Sequence, residues 1–193
     1  MAEKATFDFT YHPSLADFTV SNQAYLATHS HGSFDAIGTA VVVLASSNAS
    51  APRVFLLQRA AHDSYPGKWE PPGGACDDED ESILHSAARE LWEESGLEAA
   101  RFDGIVGDAH FFASTSGRKV CRFSFAVHVK SGGDALPAAK IDPNEHQNCV
   151  WATEDEVKAR KAEGVDLDFT TKQVESTVLL AFDLARERQY EMT

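Results

Sequence analysis

Glu90, Glu93 and Glu94 stand at i, i+3 and i+4 in the run Arg89-Glu-Leu-Trp-Glu-Glu94. On an α-helix that spacing crowds three carboxylates onto one face of two turns. Each like-charge pair costs about 0.2–0.5 kcal/mol in an isolated helix, so the face is a liability unless cations lie against it. Clustered hard oxygen ligands suit Mg²⁺ or Mn²⁺, ions that keep several waters and bridge to phosphate groups. The same three residues also read as a solvated acidic face, the usual fate of charge on a helix surface.

The carboxylates need a helix to hold them. From Ser82 to Ser95, apolar residues recur at Leu84, Ala87, Ala88, Leu91 and Trp92, the spacing of an amphipathic helix, with Ser82 suited to cap its start and Gly96 its end. Upstream, Gly38–Leu44 and Val54–Gln58 read as two buried strands, with Ser46–Pro52 as the turn of a hairpin. Downstream, strands are expected at Gly104–Ala113 and Val120–Val129, separated by the turn Ser114–Gly117, and another leads into Val150-Trp151. Helices are expected at Glu154–Ala162 and from Thr170 onward, with Val174, Val178, Ala181, Phe182 and Ala185 on one face. This alternation argues for an α/β fold with a sheet covered on both faces. Residues 1–35 are too aromatic for a disordered tail and read as an extension that packs on a domain spanning residues 36–193. A short helix fits Ser21–Thr28, and His29-Ser-His31-Gly-Ser reads as a mobile connector rather than a metal site.

The segment Gly74-x6-Glu81-x7-Arg89-Glu-Leu-Trp-Glu-Glu-Ser-Gly96-Leu97 closely resembles the Nudix box: a glycine, five residues, a glutamate, seven residues, then Arg-Glu-aliphatic-x-Glu-Glu-x-Gly-aliphatic. The departure is one extra residue in the acidic loop between Gly74 and Glu81. The lead-in, Trp69-Glu-Pro-Pro-Gly-Gly74, looks like the family's as well. The resemblance implies the Nudix fold, an α/β/α sandwich around a mixed β-sheet, and a pyrophosphohydrolase acting on acid anhydrides with Mg²⁺ or Mn²⁺ as cofactor. It implies that Glu90, Glu93 and Glu94 bind the metal and that Glu81 supports it directly or through water. Arg89 would hold the carboxylates by ion pairing, and Gly73, Gly74 and Gly96 would make the turn into the helix and its exit, the first two beside the substrate. The general base varies in this family between a box glutamate, here Glu93 or Glu94, and a glutamate of a later loop. Glu145, six residues before Trp151, resembles that loop position, although a surface glutamate is the alternative. Tyr65 and His110 lie where substrate-side loops are expected, and aromatic groups there either contact the substrate or pack.

The expected reaction is attack of water on phosphorus in a nucleoside diphosphate derivative or nucleoside triphosphate. Alternatives are an inositol pyrophosphate or prenyl diphosphate as substrate, a catalytically silent binding module, which the complete set of box glutamates argues against, and a prenyl diphosphate isomerase. The isomerase needs an active-site cysteine whose context is not found here. Lys plus Arg number 17 against 30 Asp plus Glu, a net charge of −13, which repels duplex nucleic acid and an anionic membrane. The partner is then a small-molecule diphosphate, bridged to the protein by cations, with either a monomer or a homodimer allowed. Three dispersed cysteines, Cys76, Cys121 and Cys149, suit a reducing compartment, and with no secretory pattern or membrane-length apolar run the expected location is cytoplasmic.

Overall fold

The computed structural model describes residues 6–46, 51–130 and 135–191, with side chains through residue 187. The apolar run 36–45 forms strand β2 (Ala36–Ala45), and its eight inner residues are buried, as expected of a strand covered on both faces. β2 runs parallel to β7 (Lys119–Val129), from Ala36 opposite Val120 to Val43 opposite Val127. At its far end β2 turns antiparallel to β3 (Arg53–Arg59), pairing Leu44 with Val54 and Ala45 with Arg53. Of the expected turn Ser46–Pro52, residues 47–50 lie outside the described residues.

Six strands run in the order β1 (Thr10–Tyr11), β5 (Ala99–Ile105), β7, β2, β3, β4 (Trp69–Glu70), while β6 (His110–Ala113) pairs with β7 and β8 (His146–Thr153) with β3. The β1/β5 and β2/β7 pairs are parallel and the others antiparallel, so the sheet is mixed. Period-two alternation then sorts the side chains into two cores. Ile37, Val41, Val43, Phe123, Phe125 and Val127 meet the apolar face of α2 (Ile83–Ser95). Val42, Leu44, Leu56 and Ala126 meet Val174, Val178, Ala181 and Phe182 of α4 (Lys172–Glu191). The result is the α/β/α sandwich expected from the sequence.

Residues 9–29 join the first core. The 3-10 turn Pro13–Phe18 and helix α1 (Asn22–His29) place Leu15, Phe18 and Tyr25 in it, while the Phe9 ring lies 4.8 Å from that of Phe102 and the Phe7 ring 6.3 Å from that of Trp92. Three expectations are corrected. The single strand Gly104–Ala113 is two strands, β5 and β6, because the chain between them turns through Gly107 at φ +67°. Helix α3 (Glu154–Ala159) stops before Ala162: Arg160 adopts the left-handed conformation, and residues 161–162 form β9 (Lys161–Ala162) against β10 (Val165–Asp166). His29 ends α1 with its ring stacked 4.0 Å from that of Tyr25, so it belongs to the helix and not to a connector. Among the described residues no helix is long and apolar enough to cross a membrane.

Candidate active site

Helix α2 is fixed at both ends. The Ser82 hydroxyl accepts from the His85 N–H at 3.2 Å, and Gly96, left-handed at φ +68°, donates its N–H to the Trp92 carbonyl at 2.7 Å. Glu90, Glu93 and Glu94 therefore occupy the last two turns, where the helix dipole is negative, and the last turn itself carries no basic residue. Mutual repulsion and the dipole both act against these charges, and each is relieved by a cation.

The three carboxylates differ in environment. Glu94 is 6% exposed, and one of its oxygens accepts the Gly73 N–H at 2.8 Å. Burial holds its carboxyl well above the ordinary value against that hydrogen bond, and the nearby Glu90, Glu145 and Glu70 charges push the same way. Glu90 is pushed up to about 7 by burial, although Arg89 pulls it down. Glu93 is more open and accepts from Arg89 Nη1 at 2.9 Å. Arg89 also donates to Glu90 at 2.9 Å, to the Ala75 carbonyl at 3.0 Å and, through Nε and Nη2, to both Asp80 oxygens at 3.0 Å. Burial opposes the Arg89 charge, but these carboxylates raise its pKa, Asp80 foremost.

The glycine turn shapes the floor. A Cβ on Gly73, whose φ is +151°, would lie 2.7 Å from Ala40 Cα and closer still to the Thr39 carbonyl, so only glycine fits against β2. A Cβ on Gly74 would fall 2.6 Å from a Glu90 oxygen. The turn is held on β2 by the Thr39 N–H to the Gly74 carbonyl (2.8 Å) and the Val41 N–H to the Pro72 carbonyl (2.7 Å).

A second segment closes the site. Lys140 and Asp142 donate their N–H groups to the carbonyls of Ser95 and Glu94, at the C-terminal end of α2, and the Ala60 N–H donates to the Glu145 carbonyl at 2.8 Å. Glu145 and His146 thereby meet Glu94, with one ligand atom of each within 4.8 Å of the others. His146 is 1% exposed, its Nδ1 has no partner among the described residues, and burial lowers its pKa, which favours the neutral ring. Burial raises the pKa of Glu145, and Asp142 and Asp63 add to it. The buried Glu94 and the exposed Glu145, both of raised pKa, beside an imidazole whose Nδ1 is unpartnered are a donor set that a divalent cation satisfies. Arg59, bonded to Glu70 and Asp63, adds a fixed positive charge that also acts on Glu94.

The structure brings together Arg89, Glu90, Glu93, Glu94, Glu145, Gly73 and Gly74. Glu81 stands apart from that web: its side chain is 77% exposed and pairs with His85 at 3.4 Å. Asp80 occupies the place beside Arg89, where burial would raise its carboxyl but bonds from Arg89 and Ser86 hold it below the ordinary value. Five residues separate Gly74 from Asp80, so Asp80 has the box spacing counted forward from the glycine, and Glu81 has it counted back from Arg89. Sequence reasoning passed over Asp80 and His146, although the forward count and the adjacency to Glu145 were signals for each. Tyr65 is exposed in the turn between β3 and β4. His110 lies on β6 beside Arg122, its Nδ1 3.2 Å from Arg122 Nη2.

A family model described as NUDIX domain matches residues 36–173. The chain is 33% identical over 135 residues to the m7GpppN-mRNA hydrolase NUDT17 of Danio rerio, covering 64% of this chain but only 43% of that one, so it spans less than half the length of this relative. Among solved structures, the MutT protein of Methanosarcina mazei superposes with a TM-score of 0.54 at 22% identity, covering 79% of this chain and 95% of that one. The Ap4A hydrolase of C. elegans gives 0.56 at 19%, covering 80% and 99%. The NUDIX domain of Shewanella oneidensis NrtR, solved with ADP ribose, also gives 0.56 at 19%, covering 88% and 99%. At these identities the superpositions speak for the fold.

Proposed function

The chain belongs to the Nudix family of hydrolases, and from that we propose that it cleaves a phosphoanhydride bond of a nucleotide-containing small molecule by attack of water on phosphorus, with Mg²⁺ or Mn²⁺ bound. The observation that carries this is the convergence of Glu94, Glu145 and His146, whose ligand atoms lie within 4.8 Å of one another, with Glu90 beside them under the Gly73-Gly74 turn. Glu90, Glu93 and Glu94 would hold the ions, with Glu145 and His146 adjoining. A bound divalent cation supplies neutralisation of the phosphate oxygens and a lowered pKa for water.

The chain's own residues supply the rest. Arg89, clamped by Asp80, fixes the directions of the Glu90 and Glu93 carboxylates, and the Gly73 N–H fixes that of Glu94. Glu145 is exposed at the rim with a raised pKa, which suits a base that takes a proton from the attacking water near neutral pH. Relatives named as an mRNA-cap hydrolase and an Ap4A hydrolase favour a nucleotide on at least one side of the scissile bond. The charge of −13 favours a small free substrate over duplex nucleic acid.

The test is a panel of phosphoanhydride compounds incubated with Mg²⁺, with Mn²⁺ and with excess chelator, products being identified by mass. Hydrolysis of at least one nucleotide-containing member, lost in chelator, is expected. Full turnover in chelator, or no cleavage of any member, would overturn the reading.

A further inference from the structure

On the other face of the sheet from α2 lies a cleft between β6, β7 and the first turn of α4, lined by Ala40, Ser124, Gln173 and Thr177 around Arg122 and His110. Arg122 is partly buried there in an unusual way. Its Nε is inaccessible and has no hydrogen-bond partner, and among the described residues no carboxylate pairs with its guanidinium. Its neighbours are neutral: Nη2 lies 3.2 Å from His110 Nδ1, and the guanidinium carbon stands 5.7 Å from the Phe112 ring centre. Burial and Arg122 both lower the His110 pKa, which favours a neutral ring that accepts the Arg122 N–H. Glu70 acts on Arg122 only through space, its carboxylate being engaged by Arg59.

Among the described residues this half-buried guanidinium has no carboxylate partner, and it bears a desolvation cost that a surface arginine does not. A charge placed this way is one that an anionic ligand would satisfy. The polar groups lining the cleft around Arg122 suit an oxygen of a phosphate or carboxylate. Ser124 and Thr177 add hydroxyls, and the start of α4 adds the positive end of its dipole. The cleft also adjoins the catalytic floor. Pro71 lines it, and Gly73, two residues on, binds Glu94.

We propose that Arg122 is a specificity-determining residue, which reads an anionic oxygen on the part of the substrate away from the scissile diphosphate, so that the preferred substrate carries an additional phosphate or carboxylate. The role toward substrate rests on the diphosphatase reading, the anion site itself does not, and the test separates the two. In the first arm, in excess chelator, melting temperature is followed with added inorganic phosphate against chloride of equal ionic strength. The unaltered protein should gain about 2 °C or more, Arg122→Lys should keep part of the gain, and Arg122→Gln should lose most of it. In the second arm, two diphosphate compounds that differ only by a terminal phosphomonoester are compared with Mg²⁺ present. A preference of about tenfold or more for the charged member, expressed in KM, should fall to within about threefold in Arg122→Gln. A phosphate shift that survives in Arg122→Gln, or a charge preference that is absent or untouched by that substitution, overturns the proposal. If neither compound is hydrolysed, the diphosphatase reading fails for them, and the first arm alone decides the anion site.

Discussion

A carboxylate that is 6% exposed beside two others, at the negative end of a helix, is a charge the protein cannot solvate alone, and Glu94 is in that position. Glu94→Gln keeps the oxygen that accepts the Gly73 N–H and removes the charge. Turnover should fall by about a hundredfold or more, the scale of one major electrostatic catalytic contribution, while the metal-free melting temperature holds or rises. Turnover within about twofold of the parent, with unchanged Mg²⁺ dependence, would show that this helix face is not the catalytic metal site. Asp80 and Glu81 offer a second comparison. Asp80→Asn loosens the clamp on Arg89 and should lower turnover by about ten- to a hundredfold, as loss of an outer partner of a metal site does, whereas Glu81→Gln should stay within about twofold. The reverse order of effects in the same assay would restore Glu81 to the site. The glutamate triplet was legible because helical spacing is fixed by 3.6 residues per turn. The partner of Arg89 was not, because it comes from a loop, where one inserted residue makes the forward and backward counts disagree and only the fold selects Asp80.

Among the elements, the Gly73-Gly74 turn is where the sheet and the glutamate helix meet, and its two glycines are required for different reasons. At Gly73 a methyl group would strike the backbone of β2, which cannot yield, so Gly73→Ala should destabilise by about 3 kcal/mol or more and lower the melting temperature by roughly 6–12 °C. At Gly74 the obstacle is the Glu90 carboxylate, which can swing aside. Gly74→Ala should therefore keep a melting temperature near that of the parent and lose most turnover. Thermal melts and turnover of the two variants check this, and equal loss of stability in both would contradict the distinction. Long elements with a consistent period, β2, α2, β7 and α4, were legible in advance. The break at Gly107 and the early end of α3 at Arg160 were not: apolar pattern continues across both, and a single residue of positive φ decides each.

At the scale of the whole molecule, the segment before β2 is part of the packing against α2. Leu15 is fully buried and Phe18 and Tyr25 nearly so, and losing three such side chains would cost several kcal/mol, comparable with the net stability of a domain. A chain lacking residues 1–35 should consequently show no cooperative melt or precipitate, and a sharp transition within a few degrees of the parent would oppose this. The aromatic richness of that segment announced that it packs, but the parallel pairing of β1 with β5 joins residues 10–11 to 101–102, and no local pattern reports so distant a partner. The same distance governs the middle of the sheet, where β2 is joined to β7, Ala36 opposite Val120. While the chain is being synthesised, the apolar strand that will become the centre of the fold has no neighbour on that side until β7 has left the ribosome. The nascent protein thus passes through an interval in which its stickiest segment is exposed, and the yield of active protein in a cell will depend on how fast the ribosome crosses the stretch between Ala45 and Lys119 and on what holds β2 meanwhile.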